Sequence, residues 1–468
     1  MKNINIKIIG VFILMVLVLG SCKKWIDVDK NINPDAPQNV PMGSILPAIQ
    51  VNMGYNTIGG NDIARVTAMW LQYIHGIARQ SQAEADYIFR DGDVNNQWNT
   101  NYAYTMMDIY QLRDKAAASN HFYFKGVADV LMANALGICT DVWGDIPYTQ
   151  AFQGQKNLTP VFDTQQSIYE TIQALLDEAI TNLSVVGFTG TIDGDLMYGG
   201  DATLWLKAAY ALKARYALHL SKVDGQAYTK ALAALPQAFA ANDEDLEFPF
   251  GTGTTEQNPL YQFMIERGDI VMHKTFIDML NFRFDPRIAR YATLAPDTNI
   301  YIGADWNDTG DGCSLPGDGV ASTNSPVSFM TYVECLFIKS ECLFQTGDEA
   351  GAKQALFDGL KASLEKWGVY NDIYYNAYVA AMTPVTGADL FKEIMMQKYI
   401  GLYYQAESFN DWRRTENVIG MVPNPREEAA RHEIPRRYPY STDEKNYNPN
   451  TPKVADIWQR VWWDAIVN

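Results

Sequence analysis

"YVECLFIKSECLFQTGDEAGAKQALFDGLKASL", Tyr332 to Leu364, places apolar residues at three- and four-residue spacing on both sides of a short Thr-Gly-Asp corner. That period belongs to helices, so the stretch reads as two helices joined by a tight turn. Small residues recur where the two would touch: Ser340, then Gly347 seven later, Ala352 five later and Gly359 seven later. Small side chains at these intervals let two antiparallel helices approach closely. A generic helical hairpin is the plain reading, because small residues pack any close helix pair.

The same stretch resembles a tetratricopeptide unit, whose period is about 34 residues. "TLWLKAAYALKARYALHLSKVDGQAYTKALAAL", from Thr203, is a looser copy, and residues 120–183 form a third with a long insertion. Helical periodicity covers 62–80, 96–118, 120–138, 164–183, 202–222, 226–240, 328–345, 348–366 and 387–406. Between 242 and 326, and after 407, Gly, Pro, Asn and Asp break it into long loops, which in compact proteins tend to carry function. The expected fold is all-α: tetratricopeptide-like hairpins over about 120–183, 202–240 and 328–366, decorated with loops, in one large unit.

At the amino end Lys2 and Lys7 precede an apolar run from Ile8 to Leu19, then Gly20, Ser21 and Cys22. The run is too short for a bilayer, which needs about 20 residues. Leu19-Gly20-Ser21-Cys22 resembles a bacterial lipobox, so residues 1–21 are expected to be a removed signal and Cys22 the lipidated amino terminus. Several acyl chains on one Cys meet the two-signal need for lasting attachment. Asp27 to Pro47, with four prolines, reads as an extended stalk, making 22–47 the tether and 48–468 the body.

Composition narrows the partners. The formal charge is −17, and loss of the two signal lysines leaves 35 − 54 = −19, which repels phosphate and excludes nucleic acid as a partner. Cys139, Cys313, Cys335 and Cys342 are too few for a disulfide framework, and Cys335 and Cys342, seven apart on one helix, lie beyond disulfide reach. Five widely spaced histidines and no CxxC or HExxH give zinc no support. No nucleophile elbow, Walker loop or dinucleotide fingerprint occurs, so no enzymatic turnover is expected.

Four segments act together. The lipobox is followed by "NPDAP" from Asn33; "FKGVADVLMANALGICTDVWGDIPYTQAF" couples a helix to a Trp-Gly-Asp-Ile-Pro-Tyr turn; "EIMMQKYIGLYYQAESFNDWRRTE" ends in Asp411-Trp412-Arg413-Arg414; and "IPRRYPYSTDEKNYNP" comes after. In combination they resemble the SusD/RagB family, in its SusD-like branch, surface glycan-binding lipoproteins of Bacteroidetes. The resemblance implies a lipid-anchored protein on the outer face of the outer membrane. It also implies a SusC-like TonB-dependent transporter as partner and a glycan, or for some members a peptide, as ligand. On physical grounds Gly144 and Pro147 end a helix, and Asp411 is suited to pair with Arg413, Arg414 or Arg436-Arg437 and so tie the carboxyl-terminal loops down.

With 11 Trp and 27 Tyr the chain has more polar-edged rings than a core needs. Flat sugar faces stack on such rings while hydroxyls seek amides and carboxylates. "EADYIFRDGDVNNQWNTNY" offers Tyr87, Asn95, Asn96 and Trp98; "DTNIYIGADWNDTGDG" offers Tyr301, Trp306, Asn307 and Asp308. Helical spacing of Trp98 and Tyr102 with Met106 and Ile109 competes by pointing them to the core. Asp305, Asn307, Thr309 and Asp311 also alternate as in half a calcium loop. Pro316 stands where the closing Glu belongs, so calcium could be held only in an irregular cage. No other cofactor is expected.

Overall fold

A computed structural model describes residues 40–59 and 63–466. The signal, Cys22 and the stalk up to residue 39 lie outside the described residues. From Met42 the chain forms α1 (Met42–Asn52), α2 (Ala64–Trp70), α3 (Arg79–Ala85), α4 (Asn95–Asn99), α5 (Met107–Ala118), α6 (Phe122–Trp143), α7 (Gln165–Leu183), α8 (Ala202–His219) and α9 (Ala227–Ala234). Then come α10 (Pro259–Glu266), α11 (Lys274–Phe282), α12 (Ile288–Tyr291), α13 (Tyr332–Gln345), α14 (Glu349–Lys366), α15 (Asp372–Met382), α16 (Gly387–Gly401), α17 (Glu407–Arg414) and α18 (Thr442–Tyr447). Two small antiparallel pairs complete it, β1 (Ile74–Gly76) with β3 (Ile270–Met272), and β2 (Leu246–Phe248) with β4 (Val327–Met330).

The three expected hairpins are present as α6–α7, α8–α9 and α13–α14. In the last, Gly347 takes φ +92° at the corner and Asp348 caps α14 by accepting from the Gly351 amide. Ser340 donates to the Ala352 carbonyl at 2.7 Å, and a Cβ on Gly359 would lie 2.9 Å from the Phe337 ring, so these small residues set the approach of the two helices. Gly137 does the same between α6 and α8, where a Cβ would meet the Tyr216 ring at 2.3 Å. α6 is long and apolar enough to cross a membrane by composition, yet it is mostly buried among the other helices.

Three expectations need correction. Residues 42–47, assigned to the stalk, are the first turns of α1, which carries Pro47 inside it. The helix expected over 62–80 stops at Trp70. Gln72 adopts φ +61°, and β1 then pairs with β3, nearly 200 residues away, a partner that local periodicity cannot reveal. The stretches 242–326 and after 407, read as loops, also contain helices: α17 and α18 lie in the second, and in the first Asn258 caps α10 by accepting from the Leu260 and Tyr261 amides, with Pro259 in the first turn.

Carboxyl-terminal loops are tied to the body through buried charge. Arg414 chelates Glu341 and bonds Asp411 at 2.6 Å, while Lys398 reaches Asp411 at 2.8 Å. Arg413 donates to the Asp141 and Arg436 carbonyls, both at 2.7 Å, and stacks on Phe409 and Trp463. Arg437 reaches the Trp143 carbonyl, and Asp464 accepts from Lys222 and Arg436. These arginines are spent on anchoring, as the loop-tying reading expected, with Arg414 as the partner of Asp411. All four cysteines after Cys22 are buried free thiols.

Candidate functional site

The two aromatic stretches singled out from sequence do not expose their principal rings. Trp98 is 2% exposed; its indole donates to Glu444 at 3.2 Å and it packs against Trp143, Tyr102 and Tyr440. Tyr87 is buried, with its hydroxyl accepting the Asn424 amide. Asn95 accepts from the Thr442 amide, and Asn96 is exposed. Trp306 is 7% exposed, leaving no ring face for a ligand; it found neighbours outside its own loop in His75 and His273, at 5.6 and 4.5 Å between ring centres. Around it Asn307 and Asp308 are exposed and Tyr301 is half-buried, so this stretch presents polar groups without a platform.

The acidic loop spends its oxygens on itself. Asp305 accepts the Trp306 amide at 2.8 Å, Asp308 accepts the Asp305 amide at 2.7 Å, and Asp311 accepts the Thr309 hydroxyl at 3.0 Å. Among the described residues no group of three or more His, Cys, Asp or Glu is arranged to hold a metal ion. The calcium reading gains nothing from this geometry.

The histidines under Trp306 make stability depend on pH. Burial, then the Arg426 charge, hold His75 down at about 4 against the pull of Asp308 and Asp305; burial, His75 and Lys274 hold His273 well below its ordinary value. Both are neutral when folded, whereas the unfolded chain takes up protons below about 6.5, so stability falls as pH drops from 6.5 toward 4. His219 has the opposite sign. Burial disfavours its charge, but Glu407 and Asp141 outweigh that and raise it to about 9, so its contribution is full below 6.5 and lost as pH rises through 9. Urea midpoints should therefore peak near pH 6.5, and His75→Phe should flatten the acid side. An acid limb equally steep in that variant would refute the assignment.

A ring surface does exist next to the first stretch. After α6, Gly144 takes φ +83° and Pro147 bars the helix from continuing; Asp163 then accepts the Tyr148 and Thr149 amides, both at 2.8 Å, and fixes the turn. Phe152 follows with φ +60°, an outlier for a bulky residue. Its ring stacks on Tyr110 at 5.4 Å and on Tyr102 at 6.3 Å, and Tyr148 meets it edge-on at 6.3 Å. Tyr110 is 36% exposed, and Tyr104, in the π-helical segment Thr100–Met106 between α4 and α5, is 62% exposed. Exposed Gln150, Gln153 and Gln155 share the loop with Phe152. Rings interleaved with amides are the composition sought above, and "YTQAFQGQ" carried that signal directly after the Trp-Gly-Asp-Ile-Pro turn.

A cleft of about 360 Å³ lies elsewhere in the body. Its walls come from Ile58 and Gly59 at the end of the π-helical segment Met53–Ile58, from the loop 318–326 and the start of β4, from Lys366 and Trp367, and from the turn between α16 and α17 that holds Tyr404. Asp141, Arg215 and Glu407, from α6, α8 and α17, join Glu247, Arg290, Asp318 and Lys366 in its charged lining.

The body is thus a helical-hairpin scaffold that carries a shelf of aromatic rings and, apart from it, a small cleft. The chain belongs to the SusD-like family, described as starch-binding and associating with the outer membrane, whose profile matches residues 34–441. Solved structures agree in fold. A SusD/RagB family protein from Bacteroides thetaiotaomicron superposes with TM-score 0.75 at 24% identity, covering 92% of this chain and all of its own. A chitin-binding SusD homologue from Flavobacterium johnsoniae gives 0.79 at 20% identity, covering 91% and 99%. A SusD homologue from Bacteroides uniformis gives 0.76 at 19%, again over 91% and 99%. No curated protein sequence matches the chain.

Proposed function

We propose that this chain is a cell-surface, lipid-anchored protein that captures oligosaccharides or polysaccharides, without turning them over, and passes them to a SusC-like TonB-dependent transporter. The observation that carries the reading is the shelf of Tyr102, Tyr110, Tyr148 and Phe152 beside a glutamine-rich loop, in a family described as starch-binding. Sugar rings offer flat C–H faces to such a shelf and hydroxyls to the amides. Cys22 is the proposed anchor, and Cys22→Ala protein should leave the membrane fraction.

The ligand is tested by affinity electrophoresis of the folded body against a polysaccharide panel. Phe152→Ala or Tyr110→Ala should weaken retardation roughly threefold to tenfold, as expected for one aromatic contact of about 0.5–1.5 kcal/mol. Equal retardation of parent and both variants would remove the shelf from the site. Binding of a peptide pool with no polysaccharide retarded would replace the glycan reading by a peptide one.

A further inference from the structure

α4, the π-helical segment Thr100–Met106 and α5 form one continuous helix. Asn99 (φ −61°, ψ −43°), Met106 (φ −71°, ψ −31°) and Met107 (φ −63°, ψ −45°) keep helical angles across both joins. π turns are rare and gather at functional sites, so one in the middle of this helix calls for a reason.

The reason is geometric. One loop ring, Phe152, lies against two rings of this helix and is nearly parallel to both, at 24° to Tyr102 and 30° to Tyr110. Tyr102 also donates from its hydroxyl to the Pro147 carbonyl at 3.0 Å, so it holds the same loop twice. Both tyrosines must therefore point to one side of the helix. Tyr110 follows Tyr102 by eight residues, and in an unbroken α-helix that separation turns the two side chains about 80° apart. A π turn takes in one extra residue, which winds the following helix back by up to about 100° and brings Tyr110 round to the side of Tyr102. Phe152 sits at φ +60°, and a bulky residue keeps that conformation only where its surroundings hold it.

The π turn is in turn held by a buried chain of side-chain hydrogen bonds to the end of α1 and to the other π-helical segment, Met53–Ile58. Asn52 donates to Thr105 at 2.7 Å, and the Thr57 hydroxyl donates to Asn101 at 2.9 Å, which leaves Thr105 as the donor in its 3.1 Å bond to Thr57. Thr57, Asn101 and Thr105 are fully buried. A slip of the turn by one residue into α geometry would carry Asn101 or Thr105 away from Thr57 and leave buried polar groups unpaired, so this seam fixes the π turn in place.

We propose that the π turn Thr100–Met106 assembles the ring shelf, with Thr57, Asn101 and Thr105 as its positioning residues. They act through the helix backbone, by setting the rotation at which Tyr102 and Tyr110 both engage Phe152. In α geometry the loop would lose one of its two tyrosines, Phe152 would leave the left-handed region, and the rings would disperse. Loop order follows from this geometry alone, whereas its effect on ligand rests on the saccharide reading.

Hydrogen exchange on the folded body, read by mass spectrometry, tests it, with residues 148–156 as the loop and the α13–α14 hairpin as a distant reference. Thr57→Val removes the hydroxyl that joins Asn101 to Thr105. Loop exchange should then rise roughly threefold to tenfold, as expected for one lost hydrogen bond, and Thr57→Ser should restore it. Deletion of the exposed Ala103 removes the extra residue outright and should raise loop exchange more than tenfold. The reference should not change in any of the three, and polysaccharide retardation should fall in step with loop exchange. Loop exchange unchanged in Thr57→Val, or raised equally in loop and reference, would overturn the proposal, and that variant decides even if the deletion does not fold. Loop exchange raised alone, with retardation as in the parent, would uphold the positioning role and remove the shelf from ligand binding, so the two failures are distinct.

Discussion

Truncation of Trp205 to Ala is expected to lower stability by about 3–5 kcal/mol. Trp205 is wholly buried on α8, its indole donates to Asp195 at 2.8 Å, and Tyr198 meets it edge-on at 5.3 Å. Asp195 also accepts from Gln50 at 2.7 Å and from the Gly200 amide at 3.0 Å, so it pins the 195–200 loop to α1 as well as to α8. The truncation therefore opens a cavity and strips a donor from a carboxylate that holds three elements together. Urea denaturation at pH 6.5, near the expected stability maximum, reads the effect as a lower midpoint with an unchanged slope. A loss below about 1 kcal/mol would mean that the loop collapses into the space.

Arg414→Ala should cost a similar amount, about 3–5 kcal/mol, for an electrostatic reason. Its guanidinium chelates Glu341, which is fully buried, and bonds Asp411. Lys398 cannot replace it, because its ammonium already serves Asp411 and stands 4.0 Å from Glu341. Removal leaves a buried carboxylate without a partner. The double variant Arg414→Met with Glu341→Gln should recover much of the loss, because it deletes both charges while keeping most of the volume. If the single and double variants were equally unstable, lost packing rather than unpaired charge would be the cause. An exposed pair such as Lys274 with Asp278 gives the control, where truncation should cost at most about 1 kcal/mol.

What the sequence reveals divides along local and distant lines. The α13–α14 hairpin was legible because Ser340, Gly347, Ala352 and Gly359 act within one short stretch, and helical period and turn chemistry are local signals. The α10 cap was equally local, in Asn258-Pro259, but Gly and Asn around it masked the period. By contrast β1 owes its existence to residues 270–272, and Trp306 owes its burial to His75 and His273. Nothing within "GADWNDTGDG" announces that two imidazoles wait for its tryptophan. For Trp98 the helical spacing pointed inward, and Glu444, far along the chain, completed its burial. The shelf could have been read from "YTQAFQGQ", since its rings and amides are adjacent in sequence. The cleft could not, because its walls come from at least five separate segments.

The placement of Trp463 and Asp464 has a consequence for how the protein is made. Trp463 donates to Asp141 across 322 positions, and Asp464 serves Lys222, Arg436 and Arg460. A growing chain can form α6, α7 and their hairpin early, but it holds Asp141 and Lys222 without these partners until residues 463 and 464 have been synthesised. Contacts that distant form late, after the entropy of closing a very long loop has been met. A chain truncated before Trp463 should therefore lack the contacts that join this segment to α6 and Lys222, and limited proteolysis should cut it faster than the full chain.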